Sequence, residues 1–459
     1  MKNIISKPRV LLPKDDIDMM KWSVIACDQY TSPNENYWQK VEELVGDSPS
    51  TLKMIFPEYY LKDTDLIDAR INNIQKYMKE YVENSILIDK LGEDRFIYTK
   101  RTLSNGKVRR GLMVLLDLEQ YSYKKDEKLP IRPTEGIVEE RLPIRMKIRE
   151  GAPIEFPHIL MLIDDPEMSV IEPLEETISA HKKLYDFELM IGGGHVEGYA
   201  VTSEEEENRI FEALNKLNDE DMFKQKYGLE TGENPIVIAV GDGNHSLASA
   251  KAVWEKTKEK LIEEGTSWED NPARYAMAEL INIHDEALEF ESINRVIFNV
   301  GNVESFLSEM KNFYQNLGST CDVADSEEPM TESTEGFDFT SEPPSHLFKI
   351  SYKDGEKLKF LSIIINPGAH SITVGSLQMF LDQYVKDHPE SEIDYIHGIE
   401  GVLRDSSKEG NVGFFLPSMK KEDLFMTVAK EGVTPRKTFS MGEADTKAYY
   451  IMGRKIKII

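Results

Sequence analysis

The segment NPIVIAVGDGNHSLASAKAVWEKTKEKLIEEG, residues 234–265, restricts the fold more than any other stretch of the chain. Ile236 to Val240 is a short unbroken apolar run of the kind that fills a buried strand. Gly241-Asp242-Gly243-Asn244 reads as a tight loop. Leu247, Ala250, Trp254 and Leu261 then share one face of a helix expected from about Ser246 to Glu264, with Gly265 as its stop. A strand that passes through glycines into a helix start implies a mixed α/β core, because the helix must fold back over its own sheet.

The same geometry binds anions. Glycines let the backbone approach a ligand closely, and the first amides of a helix point at it with the positive end of the dipole. Gly241, Gly243, Asn244 and Ser246 are therefore candidate phosphate-cradling positions. Asp242 suits a magnesium ion or a proton, since hard cations prefer carboxylate oxygen. His245 can donate to a phosphate oxygen or shuttle a proton near neutral pH. The plainer reading stands beside this one: Asp-Gly makes turns, and Asn or Ser caps helices, without any ligand.

With 82 acidic against 55 basic residues, the 459-residue chain carries a formal charge of -27. That balance disfavours nucleic acid and anionic lipid, which need clustered Lys and Arg. No apolar run reaches the about 18–20 residues of a membrane helix. Pro8, Arg9, Pro13 and Lys14 interrupt the start of the chain before a signal-peptide core can form. Cys27 and Cys321 lie too far apart in sequence for a CxxC metal or redox pair. The expectation is a cytoplasmic protein whose partners are small molecules; the oligomeric state stays open.

The length predicts two lobes, placed at 1–300 and 301–459. Residues 322–342 hold eight acids with no Lys or Arg among them and read as an acidic, flexible insertion in the second lobe. Two hairpins stand out, one turning at Ser104-Asn105-Gly106 and the other at Asp354-Gly355. Lys100, Arg101, Lys107, Arg109 and Arg110 crowd the first. They form either a local positive patch or the charged guard of an edge strand. Ser23 to Cys27 reads as a short buried strand with Asp28 at its end. Gly192-Gly193-Gly194-His195 leads into a strand rather than a helix, so it is a turn and no dinucleotide motif. Acids from Glu204 open a helix running to about Leu217, where they complement its dipole. His284 and His397 lie outside any metal-binding spacing and read as packing or hydrogen-bonding residues.

GDGNHSLASAK resembles the D-G-H-H-R loop of the bacterial and archaeal proteins grouped as domain of unknown function family 1015. The family's other marks follow in order: IRPTEG resembles its I-R-P-H-E segment, FESINRVIF its I-H-R-V segment, and IDYIHG and TPRKTFSMGEA complete the series. The loop is in turn similar to that of the ParB and sulfiredoxin superfamily, which includes free serine kinases. This resemblance implies a ParB/sulfiredoxin-like nucleotide-binding core and a nucleotide-dependent phosphotransferase acting on a small hydroxyl compound. Two departures matter. Ser246 replaces the arginine that closes the loop, and Thr134 replaces the histidine of the H-E pair, leaving Glu135 as its carboxylate. Sulfiredoxin chemistry needs a loop cysteine and is excluded.

A kinase needs a phosphate cradle, a metal carboxylate, positive charge and a base for the attacking hydroxyl. The expected assignments are Gly241 to Ser246 as cradle and Asp242 for magnesium. Arg295, Arg436 and Lys437 supply positive charge, and Glu135 is the base with Asp28 in reserve. Glu135 with Arg132, and Arg295 with Glu291, are equally readable as structural ion pairs. The nucleotide is ATP or ADP, with CTP a further candidate. Two other functions stay open: a nucleotide-binding switch without catalysis, and a hydrolase of phosphate esters.

Overall fold

Each predicted hairpin lies inside one of two β-sheets, and each sheet organises one compact unit of the chain. The computed structural model describes residues 3–27, 30, 36–124, 127–156, 159–229, 234–330, 344–442 and 444–457. The first unit comprises Met1–Glu289 and Gly442–Ile459, and the second Phe290–Met441. This division differs from the expected boundary at 300 for a pairing reason. Phe290–Phe298 pairs with Glu392–His397, Val412–Phe415 and Phe439–Met441 in the second sheet. Arg454–Lys455 instead pairs with Ile154–Glu155, and Tyr449 bridges Ile25, so residues 442–459 belong to the first unit.

The first unit holds a nine-stranded mixed sheet. Across it run Ile131–Arg132, Ile238–Asp242, Leu160–Ile163, Tyr275–Asn282, Val108–Asp117, Ile97–Thr102, His195–Ala200 and Lys182–Glu188, with Ile5–Ser6 beside Val108–Asp117. Alternation along Val108–Asp117 separates two cores. Leu112, Val114 and Leu116 face Ile210, Leu214, Leu247 and Trp254, whereas Met113 and Leu115 face Trp22, Trp38 and Met452. The hairpin strands lie inside this sheet rather than at its edge, which overturns the edge-guard reading of the Lys100–Arg110 charges. Arg101 and Arg109 are instead buried.

Glu204–Leu217 is a helix capped by Ser203, as the acidic start predicts. Two of those acids do more than complement the dipole. Buried Glu207 pairs with Lys7 at 2.9 Å and Arg95 at 3.1 Å, and Glu206 lies 3.5 Å from His181. Ser23 to Cys27 is buried and bridges Tyr449 at Ile25 rather than forming a regular strand, because Ala26 has a φ of 56° and interrupts the extended path.

The second unit is an antiparallel seven-stranded sheet in the order Thr320–Ser326, Lys357–Asn366, His346–Asp354, Val412–Phe415, Phe290–Phe298, Glu392–His397, with Phe439–Met441 also on Phe290–Phe298. Helices Val303–Asn316 and Thr373–Asp387 cover it through Phe306, Met310, Leu377 and Phe380. The acidic stretch is not wholly an insertion: Asp322 to Ser326 pair with Phe360 to Ile364 as an edge strand. Residues 331–343 lie outside the described residues. Among the described residues no helix is long and apolar enough to cross a membrane.

Candidate functional site

Strand, turn and helix follow one another as the sequence predicts, but the turn is tighter than Gly241–Asn244: the strand runs to Asp242 and the helix starts at Asn244, leaving Gly243 between them. The strand Ile238–Asp242 shifts register against Leu160–Ile163 between Val240 and Asp242, which makes Gly241 the extra residue of a bulge. Gly243 then takes a φ of 90° and caps the helix Asn244–Glu263 without a capping side chain. A Cβ at Gly243 would sit 3.2 Å from the backbone of Ile159, so both its conformation and its surroundings favour glycine. Gly265 stops the helix at a φ of 68°.

Parallel pairing carries a second motif to the same place. Ile131 and Arg132 lie in parallel register with Ile238 and Ala239, so both chains leave the sheet at one end. Thr134 is thereby set beside the loop. Its N–H donates to Asn244 Oδ1 at 3.1 Å, its hydroxyl donates to the Val240 carbonyl at 2.6 Å, and Asn244 Nδ2 donates to that hydroxyl at 3.3 Å. Both residues are buried. The position that departs from the family's histidine is thus the loop's principal anchor. Four residues on, the Val138 N–H donates to His245 Nε2 at 3.1 Å. Asp242 Oδ1 accepts from the Gly243 N–H at 2.8 Å.

The structure therefore brings together Gly241, Asp242, Gly243, Asn244, His245 and Ser246, with Glu135 half-buried one residue beyond Thr134. Arg132 is occupied by the carbonyls of Leu129 at 3.0 Å and Asn234 at 2.9 Å. Asp28 lies outside the described residues.

The three cations assigned to the site lie in the second unit, where they are grouped. Arg295 is fully buried, and its Nη2 donates to the carbonyls of Arg436 at 3.2 Å and Lys437 at 2.7 Å. It holds the backbone of the other two residues. Lys437 has a φ of 54°, and Arg436 pairs with Asp382.

Among the described residues no group of three or more His, Cys, Asp or Glu is arranged to hold a metal. One carboxylate suits magnesium, which keeps its waters and shares substrate phosphate oxygens, better than it suits a metal that needs a full protein cage. His284 is the hydrogen-bonding residue expected, with Nε2 at 2.6 Å from Asp164 Oδ1 and Lys226 on the same oxygen at 2.8 Å. Sequence reasoning missed Val138 as a partner of His245, and it missed the buried arginines of the first hairpin.

Solved structures to which the chain is similar include a free serine kinase variant in complex with AMP, at 14% identity and a TM-score of 0.37, covering 76% of this chain and 93% of that one. A variant in complex with ADP aligns at 15% identity and a TM-score of 0.36, with 76% and 93% coverage. A conserved hypothetical protein from Pyrococcus furiosus aligns at 14% identity and a TM-score of 0.34, with 75% and 95% coverage. No curated protein matches. The family model for "protein of unknown function (DUF1015)" matches residues 9–384, most of the sequence with the loop and its Thr134 anchor included, and the chain belongs to that family.

Proposed function

We propose that this chain is a nucleotide-dependent phosphotransferase acting on a small hydroxyl metabolite such as a hydroxy amino acid. The observation that carries the proposal is the loop: a bulge at Gly241, a left-handed Gly243, and a helix start whose first two side chains are fixed by Thr134 and Val138. A prearranged helix start costs nothing to organise when a phosphate arrives.

In this reading Gly241 to Ser246 cradle the phosphates of ATP or ADP, with CTP a further candidate, and Asp242 holds magnesium. His245 contacts a phosphate oxygen. Glu135 takes the proton from the attacking hydroxyl, with Asp28 in reserve. The metal's contribution is charge neutralisation on the transferred group.

One feature supports a second reading. Ser246 stands where the family's loop has arginine, and a serine cannot provide the bidentate charge of a guanidinium. A nucleotide-binding switch without transfer fits that loss, and a phosphate-ester hydrolase is the third reading. Isotope transfer from labelled ATP, ADP or CTP across a panel of small alcohols separates them. Labelled product supports the kinase, binding without product supports the switch, and phosphate release without an acceptor supports the hydrolase.

A further inference from the structure

The first hairpin holds a second site that does not depend on the loop. Counting outward from its turn, Arg101 lies directly opposite Arg109. Both are buried, at 1% and 3% exposure. Like charges opposed across a strand pair repel, and burial removes the water that would screen them. Among the described residues one buried carboxylate answers the two. Glu279 Oε2 lies 3.7 Å from Arg109 Nη2, while its Oε1 already accepts from Thr99 Oγ1 at 2.7 Å and from the Tyr449 hydroxyl at 3.0 Å. Gly111 leaves the room for this: a Cβ there would fall 2.4 Å from Glu279 Oε1.

The rest of the compensation comes from carbonyl dipoles. Arg101 donates to the carbonyls of Gly193 at 3.0 Å and Thr446 at 3.1 Å, and also to those of Asp445 and Lys447. Arg109 Nη1 donates to the Thr446 carbonyl at 2.7 Å. The Nε and Nη2 of Arg109 have no hydrogen-bond acceptor. Burial, and then the neighbouring Arg109, push the Arg101 guanidinium down to about 9, although half-buried Asp445 works in the opposite direction. Among the described residues two guanidiniums thus stand against one buried carboxylate, and two Arg109 donors have no hydrogen-bond acceptor, so negative charge is undersupplied. Residues 444–447 lie over the pair with three carbonyl oxygens converging, much as the oxygens of an anion would.

We propose that the Arg101–Arg109 pair is a binding site for a small phosphate-class oxyanion, with residues 444–447 as the cover that the anion displaces. Its oxygens take over the donors that Asp445, Thr446 and Lys447 now accept and engage Arg109 Nε and Nη2 as well. Gly442, at a φ of 72°, lies just before the cover.

The test uses the full chain carrying Asp242→Ala and His245→Ala, so that the loop cannot account for binding, with inorganic phosphate as the probe. Calorimetry should show phosphate binding in this parent and a loss of at least about tenfold on adding Arg109→Met. Hydrogen exchange at the amides of 444–447 should rise when phosphate is added. No phosphate binding in the parent overturns the proposal, as does equal affinity in an Arg109→Met protein with an unchanged circular dichroism spectrum. Where Arg109→Met does not fold, exchange in the parent decides: unaltered protection of 444–447 under saturating phosphate overturns it.

Discussion

The backbone N–H of Val138 donates to Nε2 of His245, 3.1 Å away. An accepting Nε2 puts the ring's hydrogen on Nδ1, so His245 stands at the helix start as a neutral ring of defined tautomer. The same bond ties residues 135–138 to the loop. His245→Ala should lower ADP affinity by about tenfold, while His245→Gln, whose amide oxygen can also accept, should recover part of the loss. Calorimetric titration with ADP checks both, and equal affinity in all three proteins removes His245 from the site.

Thr134→Val retains shape and the backbone N–H that serves Asn244 Oδ1, but it removes the hydroxyl that accepts from buried Asn244 Nδ2 and donates to the Val240 carbonyl. A cost of about 1–3 kcal/mol is expected in urea unfolding of the first unit. Adding Asn244→Leu should cost less than the sum of the two single changes, because the pair acts together. Strict additivity in that cycle would sink the anchor argument.

Gly243→Ala places a Cβ 3.2 Å from Ile159 and forces alanine into a φ of 90°. The backbone alone should cost about 1–2 kcal/mol. Differential scanning fluorimetry should report a lower midpoint and a smaller upward shift with ADP than wild type gives.

Glu155 joins Arg149 to Arg454, whose Nη2 lies 2.7 Å from Glu155 Oε1, and it also accepts from the Met277 N–H at 2.9 Å. Burial opposes ionisation of this carboxyl, but the two guanidiniums outweigh it and hold the group below its ordinary range. Glu155→Gln leaves two arginines facing each other and should destabilise the first unit by about 3–5 kcal/mol, read from urea midpoints. A loss below 1 kcal/mol on the same scale (about a factor of five in the folding equilibrium) would contradict this.

His346 is buried with Nδ1 2.7 Å from Ser376 Oγ, and burial, with His370 adding to it, pushes its pKa down from 6.5 to about 4. Above pH 6.5 the ring is neutral in both folded and unfolded chains, and its contribution is complete. As pH falls, the unfolded chain takes up the proton first, so stability of the second unit declines between 6.5 and about 4. The loss is on the order of 3 kcal/mol. The difference in unfolding free energy between pH 7 and 4.5 should shrink in His346→Gln; an unchanged difference refutes the assignment.

Strand, loop and helix at 236–265 were legible because glycine placement and apolar period are local properties. The two hairpins were legible for the same reason. Burial of Arg101 was not, since it follows from which strands flank the hairpin, and those come from residues 195–200 and 275–282. The parallel pairing of Ile131 with Ile238 was equally hidden, yet it is what sets Thr134 beside Asn244. A hairpin count outward from Asn105 would have paired Arg101 with Arg109, which was the one sequence signal available for the second site.

Residues 442–459 close a unit that residues 3–289 begin, so synthesis order acquires a meaning. Arg101 leaves the ribosome more than three hundred residues before the carbonyls of Asp445, Thr446 and Lys447 that it binds. The stretch from Phe290 to Met441 has everything its own sheet requires before those acceptors exist. The unit translated second can thus be finished first, while Arg101, already held by the Gly193 carbonyl, waits for its remaining acceptors at residues 445–447.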